Sequence, residues 1–156
     1  MSLNINHPAP LFESFNSEKQ PFSLEQLKGK NVLLLFFPAA FTSTCTKELC
    51  SVRDNLSYYN NLNCTVIGIS TDTIYSLAKY KEEQKLNFQL VSDFNKEIGK
   101  IYHAQYELFG LGMKGITKRA AFLIDKNGIL RYIEVLENAG EIPDFNKIKS
   151  VLDNLS

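Results

Sequence analysis

The run NVLLLFF, residues 31–37, closed by Pro38, restricts the fold more than any other stretch of this chain. Its continuous apolar character leaves no face for water, so a strand built from it is buried on both sides. Such strands lie in the interior of parallel or mixed sheets that helices cover on each face. Pro38 has no N–H to donate to a ladder, so the strand stops there. CTVIGIS, residues 64–70, is a second run of the same kind.

Around these runs the periodicities alternate. Phe12, Phe15 and Phe22, flanking the polar NSEKQ turn, read as a short N-terminal hairpin, and LEQLKG reads as a helical turn closed by Gly29. From Cys45 to about Tyr59, the residues Leu49, Val52, Leu56 and Tyr59 form one helical stripe. TDTIYSLAKYKEEQKL predicts a helix with Thr71 or Asp72 as its N-cap. FQLVSD and KEIGKIYHA predict a short strand and a short helix. AAFLID, a KNG turn and ILRYIEVL predict a strand hairpin, and DFNKIKSVLDNL a final amphipathic helix capped by Asp144. The sum is an α/β fold: a mixed central β-sheet flanked by helices, with an N-terminal β-hairpin, in one domain spanning residues 1–156.

Charge and composition narrow the function classes. Seventeen basic residues balance seventeen acidic ones, so no large basic field for nucleic acid is expected. No apolar run approaches the ~18 residues of a membrane helix. The opening MSLNINHPAPLFESF lacks the charged and apolar regions of a signal peptide. Three cysteines make no disulfide framework. The expected setting is therefore a reducing, cytoplasmic one, where a close cysteine pair is more reactive than structural.

That pair lies in FFPAAFTSTCTKELC, residues 36–50, just past the first apolar run. In α/β folds, reactive groups gather where a strand's carboxyl end hands over to a helix. Cys45 falls in the first turn of such a helix, where unpaired N–H groups and the positive end of the macrodipole favour an anion. Thiols in that setting ionise more readily than free cysteine. The plain alternative is a cysteine that merely packs at a helix start. Cys50 follows five residues later. In an intact helix that offset gives about 7.5 Å of rise and about 140° of rotation, so the Cα atoms lie roughly 8–9 Å apart. A disulfide needs less than ~7 Å, so a bridge between them requires the first turns to unwind. Such a bond suits a reaction cycle with local unfolding as its gate better than a permanent staple. Zinc is disfavoured: the pair has no second pair, and His7 and His103 are remote in sequence. Cys64 opens the second buried run and reads as a small core residue.

PAAFTSTC has the form Pro-x-x-x-Thr-x-x-Cys, which resembles the active-site motif of the peroxiredoxins, thiol peroxidases of thioredoxin-like fold. VIGISTD and KRAAFLIDKNGILRY extend the resemblance over nearly the whole chain. The resemblance implies that Cys45 attacks a hydroperoxide and becomes a sulfenic acid, with Thr42 offering its hydroxyl and Pro38 shielding the sulfur. It makes Arg119 the guanidinium that favours the thiolate and grips the peroxide oxygens. It implies no cofactor and no metal, with thioredoxin or a similar dithiol protein as reductant. CTKELC is similar to the Q-type, bacterioferritin-comigratory subgroup, in which a cysteine at the Cys50 position resolves the sulfenic acid. YELFGLGMKGITKRAAFLID is similar instead to E-type alkyl hydroperoxide reductases, which rely on one active-site cysteine. The first similarity goes with a monomer, the second with a homodimer.

Two further residues have double readings. Glu48 either braces Arg119 or is a solvated first-turn glutamate. Arg53 either favours a thiolate at Cys50 or makes a surface ion pair with a neighbouring carboxylate. Three function classes compete: a recycling peroxidase, a sensor or relay that passes its oxidation to a partner protein, and a binding module whose cysteines are incidental. Only the first two account for Pro38, Thr42, Cys45 and Arg119 together.

Overall fold

The computed structural model describes residues 3–155. The N-terminal hairpin forms as expected: β1 (Glu13–Asn16) pairs antiparallel with β2 (Pro21–Ser23), and a 3-10 turn spans Leu24–Leu27. The first apolar run is β3 (Asn31–Phe36), and the second is β4 (Cys64–Ser70), its parallel neighbour. β5 (Gln89–Ser92), β6 (Arg119–Ile124) and β7 (Leu130–Leu136) complete one seven-stranded sheet of order β2-β1-β5-β4-β3-β6-β7. β3 to β5 run parallel; β1, β2, β6 and β7 join antiparallel, so the sheet is mixed.

The period of two along β3 divides its apolar run between two cores. Leu33, Leu35 and then Phe37 face a core built with α1 (Ser43–Asp54), α2 (Leu56–Asn61), α3 (Ile74–Gln84) and α5 (Phe145–Asp153). Val32, Leu34 and Phe36 face the opposite core, shared with Phe12, Phe22 and the α4 region (Glu97–Ile101), including Tyr102. Gly68, at the centre of β4, is required by close packing: a Cβ there would come within 2.7 Å of Leu90 Cδ2 and 3.3 Å of Phe37 Cε1.

Two boundaries differ from the sequence expectation. The single helix expected from Cys45 to Tyr59 is broken at Asn55, which has φ −115° and ψ 17°. The Asn55 amide donates to the Ser51 carbonyl at 2.8 Å, the side-chain competition that disfavours asparagine within helices. Leu49, Val52 and Tyr59 are buried as expected, and Leu56 packs against the same core. The N-cap of α3 is Thr73, not Thr71 or Asp72; its hydroxyl accepts the Ser76 N–H at 3.2 Å. Asp72 is engaged elsewhere, at the site described next. Asp144 caps α5 as expected, accepting the Lys147 N–H at 3.1 Å.

Candidate active site

β3 delivers the chain to the site, and a six-residue turn, residues 37–42, leads it into α1. Three long-range contacts pin that turn. The Phe37 N–H reaches the Ile69 carbonyl at 2.9 Å, and the Thr117 hydroxyl donates to the Phe37 carbonyl at 2.7 Å. The Ala40 N–H donates to Asp72 Oδ2 at 2.8 Å, and the same oxygen takes the Ser70 hydroxyl at 2.6 Å. Pro38 is buried. Phe41 then passes through left-handed backbone (φ +68°), an unusual conformation for a bulky residue. Thr42 becomes the N-cap of α1, and Cys45 the third residue of its first turn.

Cys45 is fully buried on the face of α1 that also carries Leu49 and Val52. Arg119 reaches it from β6. The antiparallel pairing of Phe36 with Ala120 brings the preceding residue, Arg119, beside the end of β3. Its Nη2 donates to Cys45 Sγ at 3.2 Å and to the Ala139 carbonyl at 2.9 Å, and its Nη1 donates to Glu48 Oε1 at 2.8 Å. Arg119 and Glu48 are 1% and 0% exposed, so this is a desolvated ion pair with a sulfur at its side. Glu48 thus braces Arg119. It is not a solvated glutamate.

Burial pushes the Glu48 carboxyl up to about 7, against the opposing pull of Arg119. Burial also works against the guanidinium charge, but Glu48 and Cys45 outweigh it and hold Arg119 above its ordinary value. The carboxyl is therefore the member of the pair that gives up its charge first. Glu48 Oε2 and Arg119 Nε, both buried, have no hydrogen-bond partner within the described chain.

Thr42 and Cys50 lie on the same turn and helix as Cys45. The Thr42 hydroxyl is exposed and donates to the Ala39 carbonyl at 2.9 Å, closing the turn. Cys50 is half-buried on α1, and its thiol donates to Gln84 Oε1 at 3.6 Å. Cys45, Cys50 and Cys64 are all free thiols. Cys64 is buried in the core, which pushes its thiol up to about 12. Arg53 makes the surface pair with a carboxylate, Nε to Asp54 Oδ1 at 2.9 Å, and also donates to the Gln84 carbonyl. No cluster of three or more His, Cys, Asp or Glu side chains suited to a metal occurs among the described residues.

Asp72 was expected only as a helix cap, and Thr117 and the Ala139 carbonyl were not singled out from sequence, yet these three hold the turn and the guanidinium. Asp72 and Thr117 do stand beside quoted motifs, at the end of VIGISTD and just before KRAAFLID. Nothing in those motifs states which backbone groups they hold.

Chemically, a buried sulfur at a helix N-terminus, held by a charged donor, is arranged to carry negative charge and strike a small electrophile. Comparison with known proteins agrees. Residues 5–133 match the AhpC/TSA family. A Coxiella burnetii protein provisionally named peroxiredoxin bcp is 36% identical over 132 residues, 83% of this chain and 87% of that one. A Fasciola hepatica protein named thioredoxin peroxidase is 36% identical over 143 residues, 85% of this chain and 71% of that one. The crystal structure of the peroxidoxin BcpB from Mycobacterium tuberculosis superposes with a TM-score of 0.86, at 26% identity, over 99% of both chains.

Fold, geometry and kinship together define a thiol-dependent peroxidase on a thioredoxin-like scaffold. The chain belongs to the AhpC/TSA family, the peroxiredoxins. Members of that family consume a peroxide and draw their electrons from a thiol reductant.

Proposed function

We propose that Cys45 is the peroxide-reacting cysteine, that Cys50 resolves its sulfenic acid, and that thioredoxin or a similar dithiol protein recycles the pair. The observation that carries this is the 3.2 Å contact from Arg119 Nη2 to Cys45 Sγ in the first turn of α1. The Cys45 thiolate attacks the terminal oxygen of hydrogen peroxide or an organic hydroperoxide. The new S–O bond forms as the O–O bond breaks, and the leaving oxygen departs as water or an alcohol after taking up a proton. Arg119 and the first-turn N–H groups oppose the charge that builds on the oxygens. Thr42 Oγ1 spends its proton on Ala39, which leaves its lone pairs free to accept the hydroperoxide O–H. Buried Pro38 keeps bulk water from the sulfur.

The reductant assignment draws on the name of the Fasciola hepatica relative. The setting proposed with it is a reducing, cytoplasmic one, where a close cysteine pair is reactive rather than structural. The chain acts as a monomer or homodimer. A second mechanism, a one-cysteine cycle resolved by an external thiol, is favoured by one observation. Cys50 is tied to Gln84 within an intact helix.

One experiment separates the two mechanisms. The reduced protein is treated with about one equivalent of peroxide, and the intact mass and disulfide map are recorded. An intramolecular bridge between Cys45 and Cys50 supports the proposed cycle, and a persisting sulfenic acid supports the one-cysteine cycle. Cys45→Ser abolishes peroxide consumption. Cys50→Ser retains one round of oxidation and loses turnover with thioredoxin; normal turnover in that variant would exclude Cys50 as the resolving thiol.

A further inference from the structure

We infer that a hydrogen bond between Thr46 and Tyr80 is the latch that sets how fast α1 opens to bring Cys50 onto oxidised Cys45. This rests on Cys50 being the resolving thiol. Side chains of α1 between Thr46 and Arg53 hydrogen-bond to α3 along one line. Thr46, the residue after Cys45, shares a 2.9 Å hydroxyl–hydroxyl hydrogen bond with Tyr80. Tyr80 is fully buried, its ring centroid 5.0 Å from that of Phe41 and 6.3 Å from that of Phe37, so packing holds its hydroxyl in place. Burial pushes its phenol up to about 12, which keeps it protonated across the physiological range. Further along this line, the Cys50 thiol donates to the Gln84 side chain, and Arg53 donates to the Gln84 carbonyl.

The contacts differ in how they respond to the reaction. To attack, Cys50 must become a thiolate, and a thiolate has no proton to donate to Gln84. That tie releases itself. The Thr46–Tyr80 bond does not change with the ionisation of Cys50. It sits inside the 45–50 segment that must unwind, so the segment stays helical until this bond breaks. Once it opens, the Cys50 thiolate attacks the sulfur of the Cys45 sulfenic acid. The S–S bond forms as the S–O bond breaks, and hydroxide leaves as water with the proton that Cys50 gave up. While the latch stays closed, a second hydroperoxide can oxidise the same sulfur to the sulfinic acid, releasing water or an alcohol. The latch therefore sets the peroxide concentration at which the enzyme inactivates.

The test uses the full-length reduced protein with Tyr80→Phe, Thr46→Val, the double variant and the conservative Thr46→Ser. Rapid quenching and mass spectrometry follow the conversion of Cys45 thiol to sulfenic acid, and of sulfenic acid to the Cys45–Cys50 disulfide. Losing one hydrogen bond predicts a disulfide step about two- to tenfold faster. The first oxidation should remain within about twofold of the wild type on the same scale. The peroxide concentration giving half-maximal sulfinic acid should rise by the same factor as the disulfide rate. Thr46→Ser should restore the wild-type rate, and the double variant should be no faster than the faster single one, since both remove the same bond. Amide exchange of α1 in the reduced protein supplies a readout without oxidation and should quicken in the Phe and Val variants.

Unchanged disulfide rates in folded Tyr80→Phe and Thr46→Val, or effects that multiply in the double variant, overturn the latch alone. A wild-type protein that oxidises Cys45 but forms no bridge to Cys50 overturns the resolving assignment, and the latch with it.

Discussion

Arg119 divides one guanidinium among a buried sulfur, a buried carboxylate and a half-buried backbone carbonyl. Its planar, permanently charged fork suits this division in a way that a lysine ammonium would not. Arg119→Met is expected to slow the reaction of Cys45 with peroxide by roughly 100- to 1,000-fold, the usual consequence of losing a preorganised charged donor. Single-turnover rates would check this; a loss below about tenfold would show that the helix terminus carries most of the stabilisation. Glu48 makes a second measurement available. Its folded value, about 7, lies above the ordinary 4.5. Between those values the unfolded chain has already lost the proton that the folded chain keeps. Stability contributed by this group is thus full below about 4.5 and falls as pH rises towards 7. Glu48→Gln should remove that part of the pH slope, and urea midpoints at about pH 5 and about pH 8 would show it. Equal slopes in the two proteins would contradict the assignment.

At the scale of elements, β3 and β4 position the site, and Gly68 sets their fit against Phe37. Gly68→Ala would place a methyl group within 2.7 Å of Leu90 Cδ2 in a filled core, forcing Leu90 or the strand to move. A destabilisation of about 1–3 kcal/mol is expected from overpacking of this kind. The displacement would pass through Phe37 to the Pro38 turn, so the rate of Cys45 oxidation should fall with stability. Denaturant midpoints and peroxide kinetics on the same preparation would test the link. The strands were legible in the sequence because a two-sided apolar run has few other ways to be buried. The break at Asn55 was not, because the apolar stripe continues through it while a single side chain takes the Ser51 carbonyl. The α3 cap was misassigned for a similar reason. Thr71, Asp72 and Thr73 can all cap a helix, and Asp72 is drawn away by the distant Ala40 N–H.

For the whole molecule, what was legible was local in sequence. Pro38, Thr42, Cys45 and Cys50 lie within one short segment, and Arg119 is marked by the strand it opens. What was hidden joins residues far apart: Ala40 to Asp72 across 32 positions, Thr46 to Tyr80 across 34, and Phe37 to Thr117 across 80. No periodicity records such pairs; they exist only once the sheet order is set. That order also separates two cores, with the reactive helix wholly on one side. The opposite side holds a chain of ring contacts from Phe12 through Tyr102 to Phe36 and Phe122, none involving α1. A cycle of the proposed kind, which opens α1 to join Cys50 to Cys45, would leave that keel undisturbed. Its repeated partial melting would then stay a reversible stroke rather than a first step towards collapse.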